Sequence, residues 1–162
     1  MEYHKVTGQI TSLLKEKGFW FETFEHEPVK TSEEAAKIRP GYTLHQGAKA
    51  MIVRVKMSET DKRFIMLVFP ADLRYDNAKV AGIYNAKDVR LATEKEISDI
   101  TDGVQAGGIP PFGNLFNLDV VADPKLFDNE KIVFNAGDRR FSVAMFSKDF
   151  KAVVNPRTES IT

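Results

Sequence analysis

The segment Val104-Gln105-Ala106-Gly107-Gly108-Ile109-Pro110-Pro111-Phe112-Gly113 is built to bring bare main chain against a ligand. Three of the ten glycines and two of the seven prolines fall between Gly107 and Gly113. Proline lacks an N–H and glycine loses backbone entropy in regular structure, so this is a loop of restricted shape. Main-chain N–H groups around Gly107 and Gly108 are therefore candidate donors to a phosphate or a developing oxyanion. Ile109, Pro110 and Phe112 are the expected wall of a pocket, together with part of the first strand. The competing reading is a tight connection between two elements.

Lys49 is the second candidate. It stands in Gly47-Ala48-Lys49-Ala50-Met51, among small neighbours and at the mouth of an apolar strand. In a low-dielectric cleft its ammonium could hold an anionic ligand, and the alternative is a solvated surface lysine. His26 precedes Glu27-Pro28 and reads either as a loop histidine or as a site residue. Thr31 and Glu34 read first as a helix cap. Asp72-Leu73-Arg74 reads as a local ion pair or a turn. Arg139-Arg140 is a polar turn by default, and a phosphate contact only if it faces the Gly/Pro loop.

What is missing narrows the chemistry. The sequence has no GxSxG elbow, glycine–lysine phosphate loop, HExxH or calcium loop. The absence of cysteine removes thiolate nucleophiles, thiolate zinc sites and disulfides. Three histidines, His4, His26 and His45, show no ligating spacing. No metal and no cofactor are expected. An enzyme with this sequence works without an obvious protein nucleophile.

The elements that must position these residues follow from periodicity. Val6, Ile10, Leu13 and Leu14 predict a helix over residues 2–17, stopped by Gly18. Phe19–Phe24 predicts a short aromatic strand. Thr31-Ser32-Glu33-Glu34 starts a helix that Pro40-Gly41 ends. Ala50–Lys56 and Phe64–Pro70 predict a hairpin of largely buried strands. Helices are expected over Asp76–Tyr84 and, behind a Thr93–Glu96 capping box, to about Ile100. Val89–Leu91, Leu118–Ala122, Ile132–Asn135, Phe141–Phe146 and Ala152–Val154 are strand candidates, with Ser147–Phe150 a helical turn. The expected fold is α/β of the α+β type, a mixed, mostly antiparallel barrel-like sheet surrounded by helices.

The chain has 162 residues, with 23 Lys+Arg balancing 23 Asp+Glu, so broad duplex binding is not its design. A hydrophobic fraction of 43% and a charged fraction of 28% are those of an ordinary globule. One domain over residues 1–155 is expected, with a loose polar tail over 156–162. No apolar run reaches membrane-spanning length, and the expected location is the cytoplasm, away from membranes.

In order along the chain, these motifs resemble the YbaK / prolyl-tRNA synthetase-associated editing domain family. Phe24-Glu25-His26-Glu27-Pro28 is similar to the family's opening Tyr/Phe-x-His-x-Pro motif, followed by Thr31-Ser32-Glu33-Glu34. Gly47-Ala48-Lys49-Ala50-Met51 is similar to the segment carrying its functional lysine, and Pro70-Ala71-Asp72 to its proline–small–aspartate stretch. Gly107-Gly108-Ile109-Pro110-Pro111-Phe112-Gly113 resembles its substrate loop, and Asn135–Arg140 its small–Gly–basic turn. Alanine-type members carry a His-Pro-leucine motif where this chain has Asn135-Ala136-Gly137. Ser142 stands where cysteine-type members have an acidic residue.

The resemblance implies hydrolysis of a misacylated aminoacyl-tRNA, of mischarged tRNA-Pro or a similar tRNA. It implies a catalytic role for Lys49, Gly107 and Gly108. It also implies substrate contacts from Phe24, His26, Thr31, Ile109, Pro110, Pro111, Phe112, Gly113, Asn135 and Ser142. The partners implied are an aminoacylated tRNA 3′ end and an aminoacyl-tRNA synthetase that delivers it. Two rivals stay open here: a non-catalytic nucleotide- or protein-binding module on the same fold, and a hydrolase of other small esters. The oligomeric state stays open too.

Overall fold

The computed structural model describes residues 2–28, 31, 34 and 37–162. Helix α1 (Lys5–Lys17) leads into strand β1 (Phe21–Glu25). Strands β2 (Ala48–Lys56) and β3 (Lys62–Pro70) form the hairpin, followed by α2 (Asn77–Tyr84), β4 (Asp88–Leu91) and α3 (Glu94–Thr101). Then come β5 (Val120–Ala122), β6 (Lys131–Asp138), β7 (Phe141–Phe146), α4 (Ser147–Val154) and β8 (Arg157–Thr158). Short 3-10 turns cover Leu44–Gln46, Ala106–Gly108, Gly113–Phe116 and Pro124–Asp128. The expected continuation of the Thr31 helix through Ala35 and Ala36 lies outside the described residues. Its cap is visible in the Thr31 hydroxyl, which accepts from the Glu34 N–H at 3.1 Å.

The strands form two sheets. One is antiparallel in the order β1-β7-β6; the other runs β4-β2-β3-β5-β8, antiparallel through β4-β2-β3 and parallel through β3-β5-β8. The fold is thus α/β with mostly antiparallel pairing, as expected; among the described residues the strands form two open sheets and no closed barrel. Among the described residues a parallel bridge between Gly47 and Val133 ties one sheet to the other. Such a rung is where a cleft can open without breaking a ladder.

The hairpin explains its own sequence. Its register runs unbroken from Ala48–Pro70 to Lys56–Lys62. Ile52, Met66 and Val68 enter one apolar cluster, whereas Val53, Val55, Ile65, Leu67 and Phe69 enter a second. A strand buried on both faces needs consecutive apolar residues, not alternation. α1 begins at Lys5 because His4 caps it, its Nδ1 accepting from the Val6 N–H at 3.1 Å. Val6, Ile10 and Leu14 then bury its inner face. α1 lies close against the irregular end of β6, where Thr7 Oγ1 donates to the Ala136 carbonyl at 2.6 Å. Gly137, at φ 98° in the bulge between Asn135 and Asp138, makes that approach possible. A Cβ there would lie 2.5 Å from Val6 Cγ1.

Two expectations at the C-terminus are corrected. Ala152–Val154, read as a strand, is the last turn of α4, whose buried residues include Phe150 and Val154 at i, i+4 spacing. The tail expected to be loose is docked. Arg157–Thr158 pairs with β5, and Ile161 is fully buried. The buried Asp123 carboxylate accepts from the N–H groups of Ile161 (2.9 Å) and Thr162 (3.0 Å) and from the Thr162 hydroxyl.

Candidate active site

A cavity of about 780 Å³ lies where the two sheets meet. Its wall takes Lys49 from the start of β2, Gly107 and Ile109 from the loop after α3, and Val133, Phe134 and Asn135 from β6. Arg139 enters from the β6–β7 turn, Asp72 and Arg74 from the segment after β3, and Thr31 and Arg39 from the segment after β1. The chain carries no net charge, yet Arg39, Lys49, Arg74 and Arg139 converge here with Asp72. Asp72 is in turn engaged by His45, whose Nδ1 lies 2.9 Å from the carboxylate. Cations gathered in a concave site focus their field on an anionic ligand.

A chain of hydrogen bonds runs behind the wall. Arg39 is 6% exposed, and burial pulls its guanidinium down to about 10, still protonated at neutral pH. Its Nε donates to Ser142 Oγ at 3.0 Å and its Nη2 to Asn135 Oδ1 at 2.8 Å. Ser142 Oγ in turn donates to Asn135 Oδ1 (3.1 Å) and lies 2.8 Å from His26 Nε2. Asn135 Nδ2 donates to the Gly107 carbonyl at 2.7 Å. Two distant segments are thereby fastened to the glycine loop.

Gly107 is in close contact with a side chain. A Cβ on it would lie 2.6 Å from Arg139 Nε, so the loop rests directly on that side chain. Arg139 therefore faces the Gly/Pro loop, the placement that a phosphate-contact reading requires. Its neighbour Arg140 is used locally, paired with Asp138 at 2.7 Å. That hydrogen-bonded ion pair holds the Asp138 carboxyl below its usual range.

Of the residues singled out from the sequence, Lys49, Gly107, Ile109, Thr31 and Asn135 line this one cavity. His26 and Ser142 sit in the network behind Asn135. The others are placed elsewhere. The N–H of Gly108 is buried and donates to the Gln105 carbonyl at 2.8 Å, so it is not the open donor expected. Phe112 is fully buried in the core against Phe134 (5.5 Å) and Phe150 (5.8 Å), not on the pocket wall. Pro110, Pro111 and Gly113 are buried outside the lining, and Gly113 leaves room for Val120. Phe24 packs edge-on against Tyr42, also outside it. Of the two readings of Asp72-Leu73-Arg74 the turn is the one that forms, with the Leu73 N–H donating to the Pro70 carbonyl at 3.0 Å; Asp72 and Arg74 both face the cavity, and Asp72 is turned to His45.

Arg39, Asp72 and Arg74 are the charged lining residues that the sequence alone did not single out for the site. A buried arginine before Pro40-Gly41 carries no local signal, because its partners are 96 and 103 positions away.

Comparison with known proteins places this geometry in a class. The aminoacyl-tRNA editing domain family matches residues 26–153, and the chain belongs to that family. It is thus an editing-type hydrolase acting on aminoacyl-tRNA. The multifunctional Ser/Thr-tRNA deacylase ProXp-y of Escherichia coli (strain K12) is 34% identical over 153 residues, 93% of this chain and 90% of that protein. The proline–tRNA ligase of Sulfurihydrogenibium sp. (strain YO3AOP1) is 31% identical over 93 residues, 56% of this chain and 16% of the ligase. A solved structure described as a candidate trans-editing enzyme for prolyl tRNA synthetase shares the fold at a TM-score of 0.80. The two chains cover 99% of each other at 20% identity.

Proposed function

We propose that this protein hydrolyses the ester of tRNA mischarged with a small hydroxylated amino acid, serine or threonine. The similarity to the Escherichia coli Ser/Thr-tRNA deacylase supports that side-chain class. The observation that carries the reading is that Lys49 and Gly107, 58 positions apart by their numbers, line the same cationic cavity. Thr31, Thr43 and Asn135 provide polar groups beside apolar Ile109, Ala48 and Ala50, suited to a short side chain bearing a hydroxyl.

An aminoacyl ester is already activated, so such a site needs to hold it, admit water and stabilise the oxyanion. Water attacks the carbonyl carbon, the bond to the ribose oxygen breaks, and that oxygen takes up a proton. Lys49 and the N–H of Gly107 are the groups assigned to the phosphate or ester region. A preorganised main-chain donor contributes about 3 kcal/mol to such a transition state. The tRNA's own ribose hydroxyl serves as the acid–base group, in keeping with the lack of a protein nucleophile. Selection by a second pocket is needed because one methylene discriminates only about 10–200-fold.

The substrate in this reading is an aminoacylated 3′ end delivered by a synthetase, a pairing suggested by the related segment within proline–tRNA ligases. The place of work is the cytoplasm; among the described residues no helix is long and apolar enough to cross a membrane. The test is a panel of tRNAs carrying serine, threonine, alanine, cysteine or proline, given to wild type and to Lys49→Ala. Release of serine and threonine by wild type, strongly reduced in the folded variant, is the expected result. No release from any member of the panel would leave a binding module instead. Cleavage of simple amino-acid esters at the same rate would make it a general esterase.

A further inference from the structure

Arg39 has no chemistry assigned to it by the reaction above, yet it is the charged residue at the root of the network behind the cavity. The hydrogen-bond inventory fixes how that network must be wired. A guanidinium only donates, so the Asn135 atom facing Arg39 Nη2 must be the oxygen, Oδ1, at 2.8 Å. A carbonyl only accepts, so the Asn135 atom facing Gly107 must be the amide nitrogen, Nδ2, at 2.7 Å. The Ser142 hydroxyl adds a second donor to Oδ1 at 3.1 Å while accepting from Arg39 Nε at 3.0 Å. One amide orientation satisfies both Arg39 and Gly107; the flipped one would set donor against donor at Arg39 and acceptor against acceptor at Gly107.

The consequence lies in the loop. The peptide between Gly107 and Gly108 is held at both ends, its C=O by Asn135 and its N–H by the Gln105 carbonyl at 2.8 Å. That fixes the plane of the peptide adjoining the Gly107 N–H. From the other side Arg139 packs so closely on Gly107 that no Cβ fits without movement.

We infer that Arg39 is a positioning residue: acting through the amide of Asn135, it locks the Gly107 peptide in the orientation the cavity uses. This rests on the deacylase reading for its kinetic readout, but its structural readout is independent of any activity. Arg39 does not need to touch substrate. Its buried charge polarises the Asn135 amide and strengthens the bond that Nδ2 makes to the loop.

The decisive variant is Asn135→Asp. A carboxylate accepts from Arg39 and Ser142 even better than the amide does, but it cannot donate to Gly107 and sets an anion against that carbonyl. Expected are a thermal midpoint equal to or above wild type, and faster hydrogen exchange at the Gly108 N–H. Expected kinetically is a fall in kcat of about tenfold to a hundredfold, measured at saturating substrate. A purely structural network would be preserved or strengthened by this change without loss of rate, so unchanged kcat in the folded variant overturns the inference.

A cycle of Arg39→Met, Asn135→Leu and the double variant tests the route. If Arg39 acts through Asn135, the double variant is no slower than the slower single. Multiplied losses overturn the positioning role and make Arg39 a direct substrate contact. Should Arg39→Met fail to fold, Asn135→Asp carries the test alone. If wild type hydrolyses none of the charged tRNAs, the functional reading fails, while exchange at Gly108 still decides whether the loop is held in this way.

Discussion

The side chain of Arg139 lies against Gly107 so closely that a single methyl group on the glycine would stand 2.6 Å from its Nε. That nitrogen is buried and makes no hydrogen bond among the described residues. Gly107→Ala must displace it. The expected outcome is a folded protein whose deacylation rate falls by about tenfold or more, because a misplacement near 1 Å is that costly. Single-turnover deacylation beside a thermal melt checks it; wild-type rates would show that the contact can give.

Lys49 is exposed at the start of β2 and lines the cavity. Lys49→Ala leaves the Ala48–Pro70 and Ala50–Val68 pairs of the hairpin intact. Stability should therefore change by no more than about 0.5 kcal/mol. Deacylation should fall by about a hundredfold, the scale of one electrostatic donor. Chemical denaturation and steady-state kinetics on the same preparation separate the two.

Four cations line the cavity while the whole chain is neutral, so salt should weaken tRNA binding only modestly. For a single-stranded 3′ end, four phosphate contacts give a log–log slope no steeper than about −3. A filter-binding or fluorescence titration across salt concentrations measures it. A slope near that of a duplex-wrapping protein would mean that a second surface takes part.

Asp123 has no exposed surface and accepts only from donors, among them the Lys125, Ile161 and Thr162 N–H groups and the Thr162 hydroxyl. Burial alone would raise its pKa, but these donors outweigh it and hold the carboxyl below its usual range. Asp123→Asn would aim an NH₂ at N–H groups and should destabilise by about 3 kcal/mol, close to Asp123→Ala. Urea unfolding is the measure, and release of the tail after β8 should accompany the loss.

Glu96 receives both Arg90 guanidinium nitrogens (2.8 and 3.0 Å) and accepts the Thr93 N–H at 2.8 Å. The Arg90 hydrogen bonds, then that of Thr93, pull its carboxyl down to about 2. A depressed carboxylate contributes stability that is fully present above its unfolded value, 4.5, and is lost as pH falls toward about 2. Wild type should therefore lose stability relative to Glu96→Gln as pH drops from 5 to 2.5, and thermal melts of both at each pH show whether the gap closes.

Much of the fold was legible because it is local. The Thr93–Glu96 capping box, the α1 stripe of Val6, Ile10 and Leu14, and the apolar pair of hairpin strands each declare themselves within a few residues. Ala152–Val154 misled because three small or β-branched residues look like strand until Phe150 is counted with them at helical spacing. Phe112 misled differently: its place beside Gly107 and Ile109 in sequence suggested the wall, but packing on Phe134 and Phe150 takes it into the core. Lys49 and Gly107 could be picked out by their unusual neighbours. Arg39 could not, since what distinguishes it is burial and partners on β6 and β7, both properties of the folded chain.

The rung between Gly47 and Val133 has a mechanical corollary. Lys49 belongs to one sheet, Asn135 to the other, and Arg139 to the turn that follows it, so any occupant touching both sides is a strut between two plates. Ligand binding should then brace the whole molecule: a non-hydrolysable aminoacyl-adenosine at a hundred times its Kd would add about 2.7 kcal/mol of resistance to unfolding. Slower amide exchange on β2 and β6 alike would be the sign of that bracing.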